Sequence, residues 1–186
     1  MNYRIVSDSS SNMLSFPGID FRSVPLGIIT AKHEYVDNAE LDVEKMVGEI
    51  RDSVTEYQKH THLLFSLESL TNLARNGRVS PTVAKIAGVL GIRVMGAAKE
   101  GVLDPLHKIR GEAKTLDMIF AEMKKRGFSG GKVVIDHCFN QNAANILAEK
   151  ILSEFPSCDL KIGRNGALCS FYAERGGVLI GFEDSL

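Results

Sequence analysis

The chain has 186 residues, 44% of them hydrophobic and 24% charged, which excludes a disordered or fibrous protein and predicts one domain or two small ones. Its 22 Lys and Arg residues are balanced by 23 Asp and Glu residues, for a net charge of -1. This balance provides no overall positive field that would attract nucleic acid or an anionic membrane.

The cysteines and the apolar stretches favour a cytoplasmic protein without stable membrane insertion. Cys138, Cys158 and Cys169 are odd in number, and their spacing matches neither a disulfide framework nor paired zinc ligands. The most apolar stretch, Val83–Ala98, contains two cations and is too short and too charged to cross a bilayer.

The beginning of the chain is predicted to form two strands, a turn and a helix. Tyr3–Ser7 has the pattern of a short buried strand, and the polar residues after it favour a turn. Val24–Thr30 is predicted as one strand at a sheet edge or strand start, because Pro25 has no N–H to donate to a neighbour. His33–Asn38 is expected to turn the chain into an amphipathic helix with Asn38 as its N-cap. The apolar face of that helix contains Val43, Met46, Val47 and Ile50.

The middle of the chain predicts a strand, two helices and a hairpin. Leu63–Leu67 is a continuous apolar run of strand length, and the helix after it should end at Gly77, a typical C-cap glycine. A second helix is predicted to begin at Ser80–Pro81. Ile92–Ala98 and Val102–Ile109 are then expected to pair as a hairpin.

The last third of the chain alternates helices and strands, which is typical of an α/β fold. A helix is predicted around Leu116–Met123, a strand over Lys132–Cys138 and a helix between Asn140 and Pro156. Two further strands are predicted over Leu160–Gly163 and Val178–Phe182. We expect one core to be shared by Leu116, Phe120, Val133, Ile135, Leu147 and Ile151.

The sequence contains no recognisable catalytic or cofactor motif. It has neither G-x-G-x-x-G nor G-x-x-x-x-G-K-[ST] for phosphates, and no G-x-S-x-G elbow for a nucleophile. His60-x-His62 and Asp136-His137-Cys138 contain metal-ligand side chains, but a solvated strand entrance and a hydrogen-bonded histidine are the favoured interpretations. An enzyme is therefore the least favoured hypothesis.

Three polar residues are candidates for ligand or partner binding. Arg78 lies between the end of one predicted helix and the start of the next, where it either meets an anion or partner or caps the preceding helix. Ser9 and Ser10 follow the first strand, where they either bind a carboxylate or phosphate or form a plain serine turn.

Several motifs resemble those of the DegV family and occur in the same order. The family's D-S-[TS] start is similar to Asp8-Ser9-Ser10, and its V-P-L strand to Val24-Pro25-Leu26. Its L-x-x-L-x-x-G-G-R-[IV]-S signature resembles Leu70-x-x-Leu73-x-x-x-Gly77-Arg78-Val79-Ser80. Its G-x-[LI]-x-P-x-x-K-x-R-[GS]-x-x-[KR] segment resembles Gly101-x-Leu103-x-Pro105-x-x-Lys108-x-Arg110-Gly111-x-x-Lys114.

This resemblance implies a two-domain α/β protein that holds one long-chain fatty acid between its domains. In bacteria such a protein presents the acyl carboxylate to a partner fatty acid kinase, so it is a carrier with no catalytic residues, metal or cofactor of its own. The contacts that the resemblance implies are Ser9, Ser10 and Tyr172 at the carboxylate, Val24, Leu26 and Ile28 along the acyl chain, and Arg78 at the kinase.

The sequence departs from the family pattern at two places. A long family segment, whose hydroxyl groups hold the carboxylate in the family, has no counterpart between the first helix and Leu63. The chain is therefore expected to be either an incomplete copy of the family protein or one with an internal deletion near Ser53. Tyr172 stands where the family often has a histidine, and a phenol stays neutral at pH 7.

We therefore predict a DegV-like two-domain α/β fold with an incomplete N-terminal domain at 1–62 and a C-terminal domain at 63–186, between which the termini exchange elements. The predicted function is fatty-acid binding. The alternative is a structural or regulatory protein-interaction module that binds no lipid.

Overall fold

The structure is a computed structural model that describes residues 4–11, 13, 15, 17–30, 32–80 and 91–184. It divides into two compact units, Met1–Lys59 (unit 1) and His60–Leu186 (unit 2). The predicted domains, 1–62 and 63–186, are parts of the chain that would fold independently. This division stays a prediction. Within the described residues, each helix is too short or too polar to cross a membrane.

The described part of unit 1 contains two sheets of two strands each. β1 (Arg4–Asp8) pairs in parallel with β2 (Asp20–Val24), and β3 (Gly27–Ile29) pairs antiparallel with β4 (Glu34–Val36). β1 is largely exposed, which corrects the prediction of a buried strand. A two-stranded sheet offers little surface against which its side chains can be buried.

Two further predictions for unit 1 are wrong. Val24–Thr30 is not one strand, because the chain leaves the ladder at Pro25 and the N–H of Leu26 donates to a side chain instead. His33–Asn38 is not a turn, because its central residues pair with β3 as strand β4.

The predicted helix of unit 1 is present as α1 (Val43–Lys59), but it begins later than expected. Asp42 caps it, since its Oδ1 accepts a hydrogen bond from the N–H of Lys45 at 2.9 Å. The Asn38 side chain instead accepts from the N–H of Glu40, before the helix. α1 continues without a break through Ser53. Of its predicted apolar face, Met46 is half-buried and the others are exposed: Val43, Val47 and Ile50.

Unit 2 is built on a six-stranded mixed sheet. Its strands are β5 (Thr61–Leu67), β6 (Ile92–Lys99), β7 (Val102–Arg110), β8 (Val133–His137), β9 (Leu160–Arg164) and β10 (Val178–Glu183). The spatial order is β7-β6-β5-β10-β8-β9, in which β8 and β9 are parallel and the other neighbours antiparallel. All six predicted strands of this part of the chain are confirmed.

The described helices of unit 2 are α2 (Thr71–Arg75), α3 (Glu112–Lys125), α4 (Gln141–Glu154) and α5 (Ala167–Ala173). The first three confirm predicted helices, whereas α5 was not predicted. Asn140 caps α4 as expected, because its side chain accepts a hydrogen bond from the N–H of Ala143. The helix predicted to begin at Ser80–Pro81 lies outside the described residues.

α3 and α4 pack against the sheet and form the main core of unit 2. The prediction of a shared core is confirmed, with Phe120 partly buried at its margin and the other five residues buried: Leu116, Val133, Ile135, Leu147 and Ile151. Each fully buried Leu or Ile contributes roughly 1.5–3 kcal/mol to folding. A second, smaller core contains Phe65, Leu67, Leu73, Val94 and Cys138.

Candidate functional site

Unit 2 contains a cleft of about 260 Å³ that is lined mainly by apolar side chains. Leu63, Phe65 and Leu67 point into it together, because alternate residues of a strand share one face of a sheet. The cleft opens to solvent, since Leu63 is 38% exposed and Leu168 70% exposed. Its lining, called the apolar cleft, consists of Leu63, Phe65, Leu67, Leu73, Arg78, Gly101, Leu103, Leu168, Cys169, Tyr172, Ala173 and Leu179.

Phe65 reaches this position because its cross-strand neighbour on β6 is Gly96. A Cβ atom at residue 96 would collide with the Phe65 ring and with the backbone oxygen of Asp104. Glycine is therefore required there for close packing, and β6 also shows a register shift against β7 between Met95 and Gly96.

The two short helices at the cleft, α2 and α5, are tied together by Asn72. Its backbone N–H donates to Glu174 Oε1 at 2.9 Å, and its side-chain Nδ2 donates to the Phe171 backbone oxygen at 2.8 Å. These hydrogen bonds hold Leu73 of α2 and Tyr172 of α5 at the same cleft. Sequence analysis missed this arrangement because it did not predict α5.

Arg78 is an exposed member of the cleft lining, immediately after the end of α2. Gly77 has a φ of 68°, and the N–H groups of Gly77 and Arg78 donate to the backbone oxygens of Ala74 and Leu73, at 3.0 and 2.8 Å. This is a Schellman ending, which confirms the predicted C-cap glycine. It is made by backbone atoms, so the Arg78 side chain is not needed for it.

Tyr172 lies half-buried on α5 with its ring 5.1 Å from the Phe171 ring, in an edge-to-face arrangement. The structure therefore brings Tyr172 and Arg78, two of the residues singled out from the sequence, to one cleft. Sequence analysis did not single out the apolar residues of this cleft as candidate ligand contacts. The alternation of Leu63, Phe65 and Leu67 along one strand is the sequence pattern that could have indicated a shared apolar face.

The other predicted site residues lie in unit 1. Ser9 is buried and its Oγ accepts a hydrogen bond from the N–H of Leu26. Ser10 is exposed and its hydroxyl donates to Asp8 Oδ1. Val24 and Leu26 are exposed, and Ile28 is half-buried opposite Tyr35. Ser9 and Leu26 are thus in direct contact, whereas Ser10 engages a neighbouring carboxylate.

His60 and His62 hold the residue that follows β10. His60 Nδ1 lies 2.8 Å from Asp184 Oδ1, and His62 Nε2 lies 2.9 Å from Asp184 Oδ2. The hydrogen bond with His62 holds the pKa of Asp184 below its ordinary value. Within the described residues, His, Cys, Asp and Glu side chains form no group of three or more that could hold a metal ion.

His137 has the hydrogen-bonded role that was favoured for it, and Cys138 packs in a core. His137 is buried at the end of β8, its Nδ1 accepting from the N–H of Asn140 and its Nε2 lying 2.9 Å from Gln141 Oε1. Cys138 is buried in the smaller core.

The fold and the cleft define a mixed α/β protein with an apolar cavity beside one sheet. A family model described as "Uncharacterised protein, DegV family" matches residues 45–184. The chain belongs to the DegV family, which confirms the resemblance and the α/β fold class.

A curated relative, a DegV domain-containing protein of Streptococcus pyogenes, is 40% identical over 150 residues, which cover 77% of this chain and 54% of that protein. The chain thus spans about half the length of the curated relatives that it matches.

Two solved structures are similar over nearly the whole chain. A DegV family protein from Eubacterium eligens, loaded with heptadecanoic acid, matches with a TM-score of 0.72 and 27% identity, covering 98% of this chain and 99% of that one. The Streptococcus pneumoniae Fatty Acid Kinase (Fak) B3 protein, loaded with linoleic acid, matches with a TM-score of 0.72 and 27% identity, covering 100% of both chains.

Proposed function

We propose that this protein binds a long-chain fatty acid and that the apolar cleft of unit 2 holds part of the acyl chain. The observation that supports this most directly is the cleft itself, where leucines and Phe65 surround a cavity that is open to solvent. The similar structures that are loaded with heptadecanoic and linoleic acid indicate the chemical class of the ligand, a long-chain fatty acid.

The size of the cleft limits how much of the ligand it shelters. Its volume of about 260 Å³ lies just below the range of roughly 300–1,000 Å³ that is usual for small-molecule sites. Each buried methylene contributes about 0.8 kcal/mol, so affinity depends on how many methylenes leave water. Unit 2 alone therefore forms a partial acyl site.

The polar end of the fatty acid requires hydrogen-bond donors. Tyr172 contributes a hydroxyl group at the apolar cleft. The resemblance adds Ser9 and Ser10 as carboxylate contacts and Val24, Leu26 and Ile28 as acyl contacts. These assignments, and a position of the acyl chain between two domains, stay predictions.

The proposed role is that of a carrier that presents the carboxylate to a partner fatty acid kinase, rather than that of an enzyme. The similarity to the Fak B3 protein supports a kinase partner. The exposed position of Arg78 beside the cleft fits a contact with that partner. The ligand would then be the fatty acid alone, with no cofactor.

One observation favours the alternative of a protein-interaction module. α1 exposes several of its apolar residues to solvent, among them Val47, Val54 and Tyr57, and an exposed apolar stripe is typical of a surface that another protein covers. On that hypothesis the chain would bind no fatty acid at any concentration.

Titration with a fluorescent fatty acid such as cis-parinaric acid tests the proposal. We expect a saturable emission change that oleate reverses, and its loss in Leu63→Lys, which places a charge in the apolar cleft. Val134→Lys is the matched control, because Val134 is a strand residue of similar exposure, 44%, outside the cleft. Equal titration curves for the two variants would overturn the assignment of the cleft.

A further inference from the structure

A second cavity of unit 2, of about 340 Å³, lies where the parallel strands β8 and β9 end. His137 and Arg164, which end these strands, are register partners, and both line the cavity. Ligands of α/β proteins commonly bind beyond the carboxyl ends of parallel strands. Arg164 and Arg175 are the cations of this cavity, which we call the cationic cavity.

Neither arginine forms an ion pair with a carboxylate in the described part of unit 2. Both are exposed, neither takes part in an ion pair there, and no acidic side chain lines the cationic cavity. Glu68 and Glu112, which lie with Arg175 around a neighbouring cavity, are both hydrogen-bonded by the buried guanidinium of Arg93, whose single charge balances one of their two negative charges. Among the residues that line the cationic cavity, Arg164 and Arg175 meet no carboxylate, so both can bind an anionic ligand there.

Asn165 adds a buried side-chain amide that has no hydrogen-bond partner among the described residues. Its backbone is fixed, since its N–H donates to the His137 oxygen at 3.1 Å and its oxygen accepts from Ser170 Oγ at 3.0 Å. Its side-chain Nδ2 and Oδ1 are nevertheless both buried and unsatisfied. Buried polar groups in proteins are nearly always paired, so this amide beside two arginines points to a polar ligand.

Phe139 provides an apolar surface at the same cavity. It is 79% exposed and has a φ of 52°, a backbone conformation that is rare for a bulky residue and occurs preferentially at functional sites. The Arg175 guanidinium carbon lies 5.8 Å from the centre of its ring. The neighbouring His137 is fixed by hydrogen bonds with Asn140 and Gln141, which holds this turn between β8 and α4 in place.

We propose that the cationic cavity binds a phosphate monoester. The planar guanidinium group matches phosphate geometry with paired hydrogen bonds, and the two charges of Arg164 and Arg175 balance a dianion, which a single carboxylate would not. The Phe139 ring contacts the organic part of the ligand. The site shares no residue with the apolar cleft, so it does not depend on fatty-acid binding.

Calorimetric titration with phenyl phosphate tests the proposal for a soluble ligand. We expect saturable binding with one site per chain, weakened about tenfold or more in Arg164→Gln and in Arg175→Gln, because each variant removes a charged hydrogen-bond donor. Lys161→Gln is the control, since Lys161 is an exposed cation on β9 outside the cavity, and it should bind as the wild type does. Circular dichroism establishes that each variant is folded.

A parallel experiment distinguishes a soluble phosphate monoester from a lipid headgroup. Vesicles of phosphatidylcholine with and without phosphatidic acid are sedimented with the same four proteins. If the protein sediments with vesicles only when they contain phosphatidic acid and only when both arginines are present, the site is supported and its ligand is a lipid headgroup. If the protein binds phenyl phosphate but does not sediment with the vesicles, the site is supported and its ligand is a soluble phosphate monoester. If neither probe binds, or if both arginine variants bind like the wild type, the proposal is wrong.

Discussion

The backbone N–H of Leu26 donates a hydrogen bond to Ser9 Oγ across 3.1 Å, so two residues that the family resemblance assigns to one ligand are in direct contact. A hydroxyl group has one proton and two lone pairs. Ser9 accepts this bond and keeps its proton, which it can donate to a carboxylate. Ser10 already donates its proton to Asp8 Oδ1.

Replacement of the two serines should therefore have unequal effects. We expect Ser9→Ala to weaken fatty-acid binding about fivefold, the equivalent of one neutral hydrogen bond of about 1 kcal/mol, and Ser10→Ala to change it less than about twofold. Titration of both variants with cis-parinaric acid measures this difference, and thermal unfolding identifies any loss of fold. A larger loss of affinity in Ser10→Ala than in Ser9→Ala would contradict the assignment.

Arg78→Ala should separate partner binding from ligand binding. The helix ending before Arg78 is made by backbone hydrogen bonds, so removal of the exposed side chain should change the free energy of unfolding by less than about 1 kcal/mol. We expect phosphorylation of the bound fatty acid by the partner kinase to fall, with little change in the dissociation constant of the fatty acid.

Arg75→Ala is the control for this experiment, because Arg75 is an exposed cation in the last turn of α2 and does not line the apolar cleft. An equal fall in phosphorylation for both variants would indicate a general charge effect. A fall in fatty-acid affinity confined to Arg78→Ala would show that Arg78 binds the carboxylate and not the kinase.

The contacts of Asp184 with His60 and His62 predict a pH-dependent contribution to stability. Because its pKa is lower in the folded chain than in the unfolded one, Asp184 stabilises the fold above its unfolded pKa of about 3.9, and this is lost as the pH falls through the folded pKa. Asp184→Asn should lower the free energy of unfolding by about 1 kcal/mol near neutral pH. The difference from the wild type should shrink below about pH 4.

Urea unfolding at neutral and acidic pH measures this effect. Glu154→Gln is the control, because the exposed pair of Glu154 with Lys124 should contribute less than about 1 kcal/mol. A difference between Asp184→Asn and the wild type that stays constant as the pH falls below about 4 would contradict the proposed role of the carboxylate charge.

The sheet and the longer helices of unit 2 were predictable because burial sets their residue pattern. Leu116, Ile119 and Met123 repeat at helical spacing and all lie in the main core. Val133 and Ile135 alternate along β8 and are buried with them. In this unit the local sequence pattern and the tertiary packing agree, so the periodicity of apolar residues was sufficient to predict the strands and the longer helices.

The errors occur where local hydrogen bonds or short elements decide the structure. Asp42 rather than Asn38 caps α1. Both side chains are suitable N-caps, so the sequence alone does not indicate which of them caps the helix. β4 has three residues, and strands of that length show no period. α5 has seven residues, and it carries Tyr172 to the apolar cleft.

The candidate site was predictable only in part, because a cleft is formed by residues that are distant in the chain. Arg78 and Tyr172 came from the family motifs, and the structure places them at one cavity. Leu103 and Leu179 join Phe65 there through the strand order, which the sequence does not contain. Their role became visible only with the sheet.

We propose that this chain, a member of the DegV family, binds a fatty acid but provides only part of the acyl site. Calorimetric titration of the 186-residue chain with oleate or palmitate tests it most directly. We predict saturable binding with a dissociation constant well above about 1 μM, because the open apolar cleft buries few methylenes. Insertion of the corresponding family segment near Ser53 should produce a protein that co-purifies with fatty acid. A stoichiometric complex of the 186-residue chain with a dissociation constant below about 1 μM would contradict the claim.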